Sequence, residues 1–506
     1  MARLLLRFLL AGSFAATLAA AEGLDRAMTE VQFRALWKER VEALRTERAA
    51  EMASNTITLG DKKLRWMERV YGDAPTNGHS LWISMHGGGG APARVNDGQW
   101  TNQISLYKPD EGIYVAPRGP TDNWNLWHEA HVDPMFDRLI EDYIALRGID
   151  PDKVYLMGYS AGGDGVWQLA PRMADRWAAA AMMAGHPNDA SLLPLRNLPF
   201  ALFVGGEDAA YGRNKIVAER AQQLDELQAA DPKGYVHMAR VYPGLPHWMQ
   251  RKDAEAVPWM AQFKRNPWPK KIVWMQDDVT HTRFYWLAVA EADAKAGRKM
   301  VAEVDGQTIR LTGDVPDTLR LRLSDELLDL DKGLRVLVND KEVIHRAKVP
   351  RSALLIHDSL QERADPRSVA TALVRLSTAG LPDVVEMLKG FPVEVSCVGE
   401  SDEGVSYTLK FASQKNSSMI NFRTIAKDEA VESAMKKEIG RSSVGGHSIG
   451  KVIGDETWEL GKTSWAIRKG RVIFDIGASG EDLFKKTKQM AEYIVEHLPS
   501  EPKTKQ

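Results

Sequence analysis

The sequence predicts an α/β fold built on a mostly parallel β-sheet with helices on both faces. Between residues 56 and 266, short runs of almost uninterrupted apolar residues alternate with stretches of helical periodicity. Strands that are apolar on both sides need cover on both faces, which is the usual state of a parallel sheet between helices. The predicted strands are 81–85, 113–117, 154–157, 178–183, 200–204 and 236–242, and the predicted helices are 135–146, 163–173, 215–229 and 254–263.

The first 21 residues have the order of a secretory signal peptide. Arg3 and Arg7 provide a basic start, residues 4–18 are largely apolar, and residues 19–21 supply small side chains for cleavage. A membrane anchor is the alternative, but it needs about 18 or more apolar residues. We therefore expect a protein exported to the periplasm or the cell exterior, with no integral membrane span left after cleavage. Residues 22–55 are predicted to form a helical arm, followed by an antiparallel strand pair over 56–64 and 67–71.

The predicted α/β domain spans residues 56–266 and ends at a proline-containing boundary. Residues 270–378 alternate as strands do and predict a small β-rich accessory domain, with Asn339-Asp340 as a hairpin turn. Residues 379–498 predict an α+β domain of unknown role, with helices near 428–439 and 481–497, and residues 499–506 a flexible tail. These accessory domains are candidates for contact with the substrate or the cell surface.

Charge and cysteine content exclude two classes of protein. Among 506 residues, 66 Lys and Arg stand against 68 Asp and Glu, a net charge of -2. A nucleic-acid partner is therefore not expected, because such proteins carry a basic excess or a basic stripe. Cys397 is the sole cysteine, so no intramolecular disulfide can form and the fold depends on packing.

The segment Gly158-Tyr159-Ser160-Ala161-Gly162 lies between a predicted buried strand and a predicted helix. G-x-S-x-G in that setting indicates a nucleophile elbow, a turn so tight that the residues two before and two after the serine must be very small. The turn strains the serine backbone and exposes its hydroxyl. Ser160 is therefore the candidate nucleophile.

A second glycine-rich segment, His86 to Gly90, follows the predicted strand 81–85. Acyl transfer passes through a tetrahedral oxyanion, which needs backbone N–H donors at close range. A glycine loop allows that approach, and this pattern is a known partner of the elbow. We expect one donor from Gly87 or Gly88 and a second from Ala161.

An acid and a histidine complete the pattern. Asp208 and Glu207 follow the predicted strand 200–204, and His247 lies in the loop after the last predicted strand. The shorter side chain favours Asp208 over Glu207. In the order serine, acid, histidine, Ser160 attacks a carbonyl, His247 moves the proton, and Asp208 orients His247.

These motifs make the segment 56–266 resemble the α/β-hydrolase superfamily. More narrowly, it is similar to the secreted esterases that include feruloyl esterases and poly(3-hydroxybutyrate) depolymerases. The resemblance is carried by His86 to Gly90, Gly158 to Gly163, Gly205 to Asp208 and His247-Trp248. It implies a hydrolase of carboxylic esters that needs no cofactor and works through an acyl-enzyme, on a small or a polymer-attached ester.

Several aromatic and histidine residues fall in loops near these motifs. The residues expected to bind substrate are His86, Trp124, Trp127, His128, Tyr159, His186 and Trp248. A metal site formed by His128, Glu129, His131 and Asp133 is the alternative for part of this set. Their spacing is not that of two histidines on one helix face, and the proposed chemistry needs no ion, so no metal is expected.

Two other functions are compatible with the same fold. A serine peptidase of the prolyl-oligopeptidase type usually carries a large propeller before the hydrolase domain, and only about 30 residues separate the leader from the sheet here. A non-catalytic extracytoplasmic binding protein with a degenerate hydrolase core is the other, which the complete set of serine, acid, histidine and glycine loop disfavours.

Overall fold

A computed structural model describes residues 24–376 and, further along the chain, seven strands between residues 393 and 477. Its largest sheet is formed by β1 (Thr56–Leu59), β2 (Lys62–Tyr71), β3 (Leu81–Met85), β4 (Gly112–Arg118), β5 (Val154–Tyr159), β6 (Ala179–Met183), β7 (Phe200–Gly205) and β8 (His237–Tyr242). The strand order is β1-β2-β4-β3-β5-β6-β7-β8. The pairs β1–β2 and β2–β4 are antiparallel, and all other neighbours in the sheet are parallel.

Helices cover both faces of this sheet. The α-helices of residues 24–376 are α1 (Arg26–Glu47), α2 (Ala49–Ser54), α3 (Ala93–Gln103), α4 (Val132–Arg147), α5 (Ala161–Arg172), α6 (Arg213–Ala230), α7 (Ala256–Met260) and α8 (Ala353–Glu362). Successive strand residues point to opposite faces. In β5, Leu156 joins an apolar cluster that includes Trp167 of α5, whereas Met157 joins a second cluster that includes Met260 of α7. The mixed α/β fold with a parallel-rich sheet is therefore confirmed.

The N-terminal arm differs from the prediction in two places. The predicted single helix is interrupted at Arg48, whose buried guanidinium lies 2.9 Å from both Glu141 and Asp142 of α4. The first hairpin turns at Gly60, where φ is 59°, rather than between residues 64 and 67. Glycine adopts this left-handed conformation without steric cost, so β2 can start at Lys62 and run unbroken.

Residues 271–375 form two smaller sheets. The strands are β9 (Lys271–Met275), β10 (Arg283–Phe284), β11 (Leu287–Ala288), β12 (Lys299–Asp305), β13 (Thr308–Gly313), β14 (Arg320–Leu323), β15 (Leu334–Val338), β16 (Lys341–Arg346) and β17 (Ala372–Arg375). Their orders are β16-β15-β13-β12-β9 and β10-β11-β14-β17. Asn339 and Asp340 form the turn between β15 and β16 with φ of 46° and 66°, as the sequence predicts.

The two smaller sheets pack directly against the α/β part of the chain. Buried side chains from β9 to β17 belong to the same apolar cluster as those of α4 and α5. Asp365 is fully buried and accepts hydrogen bonds from Arg265 at 2.6 Å and from Arg176 at 3.1 Å. Burial raises the pKa of Asp365, but these two arginines outweigh it and hold the pKa well below its usual range. The carboxylate therefore joins the two parts as an ion.

The last described strands form one antiparallel sheet. They are β18 (Val393–Glu400), β19 (Gly404–Phe411), β20 (Met419–Ile425), β21 (His447–Gly450), β22 (Glu456–Gly461), β23 (Ser464–Lys469) and β24 (Val472–Gly477), in the order β18-β19-β20-β24-β23-β22-β21. Position 397 falls in β18, as predicted. The predicted signal peptide, the helices near 428–439 and 481–497, and the tail 499–506 lie outside the described residues. None of the described helices has the length and apolar character needed to cross a bilayer.

Candidate active site

Ser160 lies at the sharp turn between β5 and α5. Its φ of 57° and ψ of -119° place a non-glycine residue in a strained conformation. The turn also requires the glycines around it. A Cβ at Gly158 would overlap the carbonyl of Gly162, and a Cβ at Gly162 would overlap that of Met85. The sequence pattern thus forms the tight strand–turn–helix geometry that it predicts.

Ser160, His247 and Asp208 are joined by two hydrogen bonds. His247 Nε2 lies 3.0 Å from Ser160 Oγ, and His247 Nδ1 lies 2.7 Å from Asp208 Oδ2. An ionised carboxylate only accepts, so Nδ1 carries the proton and donates to Asp208. In the neutral ring Nε2 is then the acceptor, and it faces the hydroxyl of Ser160. This arrangement can remove the proton of the serine as its oxygen attacks.

The structure distinguishes between the two candidate acids. Asp208 is buried, with 2% of its surface exposed, whereas Glu207 is exposed to solvent. The second carboxylate oxygen of Asp208 lies 3.6 Å from Arg213 Nη1. At its other end the turn requires glycine, because a Cβ at Gly205 would overlap the carbonyl of Pro246. This close approach brings the loop of His247 onto the end of β7.

The glycine loop after β3 adjoins the nucleophile. A Cβ at Gly87 would lie 3.2 Å from the Cβ of Ser160, so the two backbones are in contact. Gly88 has φ of 110°, and a Cβ there would overlap Oδ1 of Asn96. Ala161 is the first residue of α5, where backbone N–H groups have no partner within the helix. The backbones of Gly87 and Ala161 therefore both adjoin Ser160.

His86 and Trp127 do not line the cleft, so the expectation that they bind substrate is wrong. Both are fully buried. His86 Nε2 accepts from the N–H of Gly119 at 3.0 Å, so Nδ1 carries the proton and donates to the carbonyl of Gly87 at 2.6 Å. Trp127 Nε1 donates to the carbonyl of His86 at 2.8 Å. Burial lowers the pKa of His86 to about 4. The neutral ring thus supports the glycine loop from beneath.

The remaining predicted pocket residues lie in loops at the end of the sheet that carries Ser160. Trp124 and Trp248 are exposed by 62% and 47%, and the ring of Trp124 stands edge-on to His128 at 5.3 Å. His186 is half-buried, and its backbone N–H donates to Asp164 in the first turn of α5 at 2.6 Å. That these residues bind substrate stays a prediction.

Tyr159 has a different position from the one expected. It is buried, with 8% of its surface exposed, and its hydroxyl is hydrogen-bonded within the protein. A substrate-binding residue would present its polar group to the cleft instead.

The alternative metal site does not assemble. Asp133 is buried, and its two oxygens contact Arg172 at 2.9 Å and His281 at 2.7 Å. Within residues 24–376, the acidic and histidine side chains that converge closely enough for a metal are Asp325, Asp329 and Asp331. Those three already form ion pairs with arginine or lysine side chains. Both oxygens of Asp133 are therefore engaged by side chains of the protein.

Two supporting residues were missed by sequence reasoning. Asn96 of α3 is fully buried, accepts from the N–H of Gly89 at 2.9 Å, and donates to Asp122 at 2.7 Å. Arg213, at the start of α6, adjoins Asp208. A buried asparagine in a polar helix and an arginine after a turn carry no distinctive pattern, so no local signal could have identified them.

Comparison with known proteins is limited to structural similarity. No protein-family model matches the chain, and no curated protein matches its sequence. The chain is similar to the crystal structure of a thermostable esterase, with 19% identity and a TM-score of 0.34, over 42% of this chain and 62% of that protein. It thus spans less than two thirds of that esterase.

Two further solved structures are similar over almost their whole length. A ferulic acid esterase has 13% identity and a TM-score of 0.28, over 41% of this chain and 96% of its own. A carboxylesterase from Mesorhizobium loti has 17% identity and a TM-score of 0.29, over 41% and 99%. These structural neighbours are esterases.

Proposed function

We propose that the protein is an exported serine hydrolase that cleaves carboxylic esters through an acyl-enzyme. The observation that supports this most directly is the hydrogen-bonded chain from Asp208 through His247 to Ser160, with Ser160 in a strained turn at the start of a helix. This series of hydrogen bonds has no evident structural purpose, whereas activation of a serine hydroxyl requires it.

The proposed reaction has two halves. Ser160 Oγ attacks the ester carbonyl while its proton moves to His247 Nε2, and backbone N–H groups of Ala161 and of Gly87 or Gly88 stabilise the oxyanion. His247 then protonates the departing alcohol, which leaves Ser160 acylated. Water attacks the acyl group with His247 again as base, and the carboxylic acid is released.

Two exposed tryptophans favour a substrate whose acyl group or alcohol has apolar surface. Trp124 and Trp248 are exposed on loops at this edge of the sheet. Large rings left in water at an active-site edge are suited to contact with a substrate, whether a small ester or one attached to a polymer. Export is proposed from the order of the first 21 residues alone.

Labelling and turnover test the proposal together. We expect hydrolysis of short-chain p-nitrophenyl esters and covalent modification of the peptide that contains Ser160 by a fluorophosphonate. Ser160→Ala should remove both while leaving the melting temperature nearly unchanged. Labelling of a different peptide, or undiminished turnover by Ser160→Ala, would contradict the assignment. A panel of acetyl, hydroxybutyryl and hydroxycinnamoyl esters then identifies the acyl preference.

A further inference from the structure

The loop that carries His247 is held by the side chain of the residue next to the nucleophile. Tyr159 is the last residue of β5, directly before Ser160. Its hydroxyl donates to the carbonyl of His247 at 2.7 Å and accepts from the N–H of Met249 at 3.0 Å. One oxygen atom therefore uses its proton and a lone pair on two peptide groups of the same loop, 88 and 90 residues away in the sequence.

The ring of Tyr159 packs against the same loop. It stands edge-on to the imidazole of His247, with 5.9 Å between ring centroids, and lies 5.6 Å from the ring of Trp248. Tyr159 thus contacts the backbone and the side chain of the proton-carrying residue. Because Tyr159 directly precedes Ser160 in the chain, this one residue links Ser160 to His247, the two partners of the proposed proton transfer.

At His247 itself, Tyr159 contacts the backbone of the loop and Asp208 contacts the imidazole. The described backbone hydrogen bonds near it lie on either side, from Glu207 to Leu245 and from Lys252 to Met249. Backbone conformations with positive φ follow at Gln250 and Arg251, and 41% of the His247 side chain is exposed. The backbone contact with Tyr159 therefore complements the hydrogen bond from Nδ1 to Asp208 in holding the ring 3.0 Å from Ser160 Oγ.

We propose that Tyr159 is a positioning residue, which sets the distance between His247 and Ser160 by anchoring the loop of His247 to the nucleophile strand. The inference rests on the proposed serine-hydrolase function, and it assigns to Tyr159 a role in rate rather than in substrate binding. It predicts that removal of the hydroxyl slows every step in which His247 carries a proton, in acylation and deacylation alike.

Tyr159→Phe is the decisive variant, because it keeps the ring and removes one oxygen. Misplacement of a catalytic group by about 1 Å can cost on the order of 100-fold in rate. We expect kcat for p-nitrophenyl acetate to fall about 10- to 100-fold, with KM changed less than about twofold. KM should change little because it depends on the ratio of the acylation and deacylation rate constants, and both constants should fall by a similar factor.

Tyr155→Phe is the matched control. Tyr155 lies four residues earlier on the same strand, is also buried, and its hydroxyl also donates to a backbone carbonyl, that of Phe263 at 2.9 Å. Both variants lose one buried tyrosine hydroxyl, so their melting temperatures should fall by similar amounts. Only Tyr159→Phe should lose turnover.

A second measurement follows the attack of Ser160 alone, without a deacylation step. Diethyl p-nitrophenyl phosphate reacts with an activated serine: the Oγ–phosphorus bond forms, p-nitrophenolate leaves, and the serine proton passes to His247. Its rate constant with Ser160 should fall in Tyr159→Phe by about the same factor as kcat, and should be unchanged in Tyr155→Phe.

Four outcomes would overturn the inference. Turnover and phosphorylation within about twofold of wild type in Tyr159→Phe would show that the anchor is dispensable. An increase in KM alone would make Tyr159 a substrate contact, and an equal loss of kcat in Tyr155→Phe would indicate general loosening. If the wild-type protein neither hydrolyses esters nor reacts at Ser160, the proposed function fails and this inference fails with it. The first three outcomes leave the proposed function intact.

Discussion

Acidification should destabilise the protein through His86, a residue that takes no direct part in the proposed chemistry. His86 is fully buried beneath the glycine loop, and both ring nitrogens are used, Nδ1 as a donor to Gly87 and Nε2 as an acceptor from Gly119. A second proton would turn Nε2 into a donor facing another donor, in a site without solvent. Burial accordingly lowers the pKa of His86 to about 4, against an ordinary value of 6.5.

The magnitude follows from the difference between these values. A pKa that is lower in the folded state contributes stability that is fully present above pH 6.5 and is lost as the pH falls toward 4, because the unfolded chain binds the proton first. The difference of about 2.5 pH units corresponds to at most about 3.4 kcal/mol, at about 1.36 kcal/mol per unit. Integration gives a loss of about 2 kcal/mol between pH 7.5 and pH 5.

Urea unfolding of the wild-type protein and His86→Gln, each at pH 7.5 and pH 5, isolates this contribution. Glutamine keeps one donor and one acceptor but does not titrate. Tryptophan fluorescence is a suitable probe, because Trp127 packs against His86 at 5.0 Å between ring centroids. Other groups also respond to pH, so the quantity of interest is how much more stability the wild type loses than the variant, expected to be about 2 kcal/mol.

The test compares how much stability each protein loses between pH 7.5 and pH 5. It therefore remains valid if His86→Gln is less stable than the wild type at both pH values. The exposed His345 provides a control, since 69% of its side chain is in solvent and His345→Gln should keep the pH response of the wild type. Equal losses in wild type and His86→Gln, within about 0.5 kcal/mol, would refute the argument that His86 is held neutral by burial.

Three further predictions concern the acid, the serine turn and the contact between the sheets. Asp208→Asn should lower kcat on the order of 10⁴-fold in p-nitrophenyl ester assays, because the orientation of the histidine is lost. Glu207 is exposed, so Glu207→Gln should retain wild-type turnover, and equal effects of the two variants would reject the assignment of Asp208 as the acid. Gly162→Ala should lower the free energy of unfolding in urea by about 1–3 kcal/mol, because its Cβ would overlap a backbone carbonyl. Gly98 of α3 has open space around it, so Gly98→Ala should raise the free energy of unfolding by about 0.5–1 kcal/mol. Asp365→Asn leaves buried arginines without their anion and should lower the free energy of unfolding by about 3–5 kcal/mol in calorimetry. A loss below about 1 kcal/mol would mean that this contact between the α/β part and the smaller sheets contributes little to stability.

Much of the α/β part could be predicted from local sequence. Near-continuous apolar runs identify strands buried on both faces, and the structure has strands at all six predicted places. The turn around Ser160 is predictable for a similar reason. A strand that passes into a helix within one residue leaves no room for a Cβ at Gly158 or Gly162, so the glycines record the geometry directly.

Local patterns were misleading where burial depends on distant segments. Trp127 and His86 lie in polar, loop-like sequence that suggested a cleft, yet both are enclosed between the strands and α5. Arg48 lies within an uninterrupted helical pattern, but its backbone leaves the helical conformation, with φ of -119° and ψ of 6°, and its guanidinium pairs with Glu141 and Asp142 of α4. In each case the partner is remote in sequence, so no periodicity in the segment itself reports it.

Local sequence patterns were therefore enough to predict the succession of strands and helices along the α/β part of the chain, the glycine-dependent turn and the residue types available for chemistry. Packing between distant segments places Asp208 rather than Glu207 against His247, and it brings the hydroxyl of Tyr159 to a loop 88 residues away. Backbone sterics act over a few residues, whereas the direction and burial of a side chain depend on whatever part of the chain packs against it.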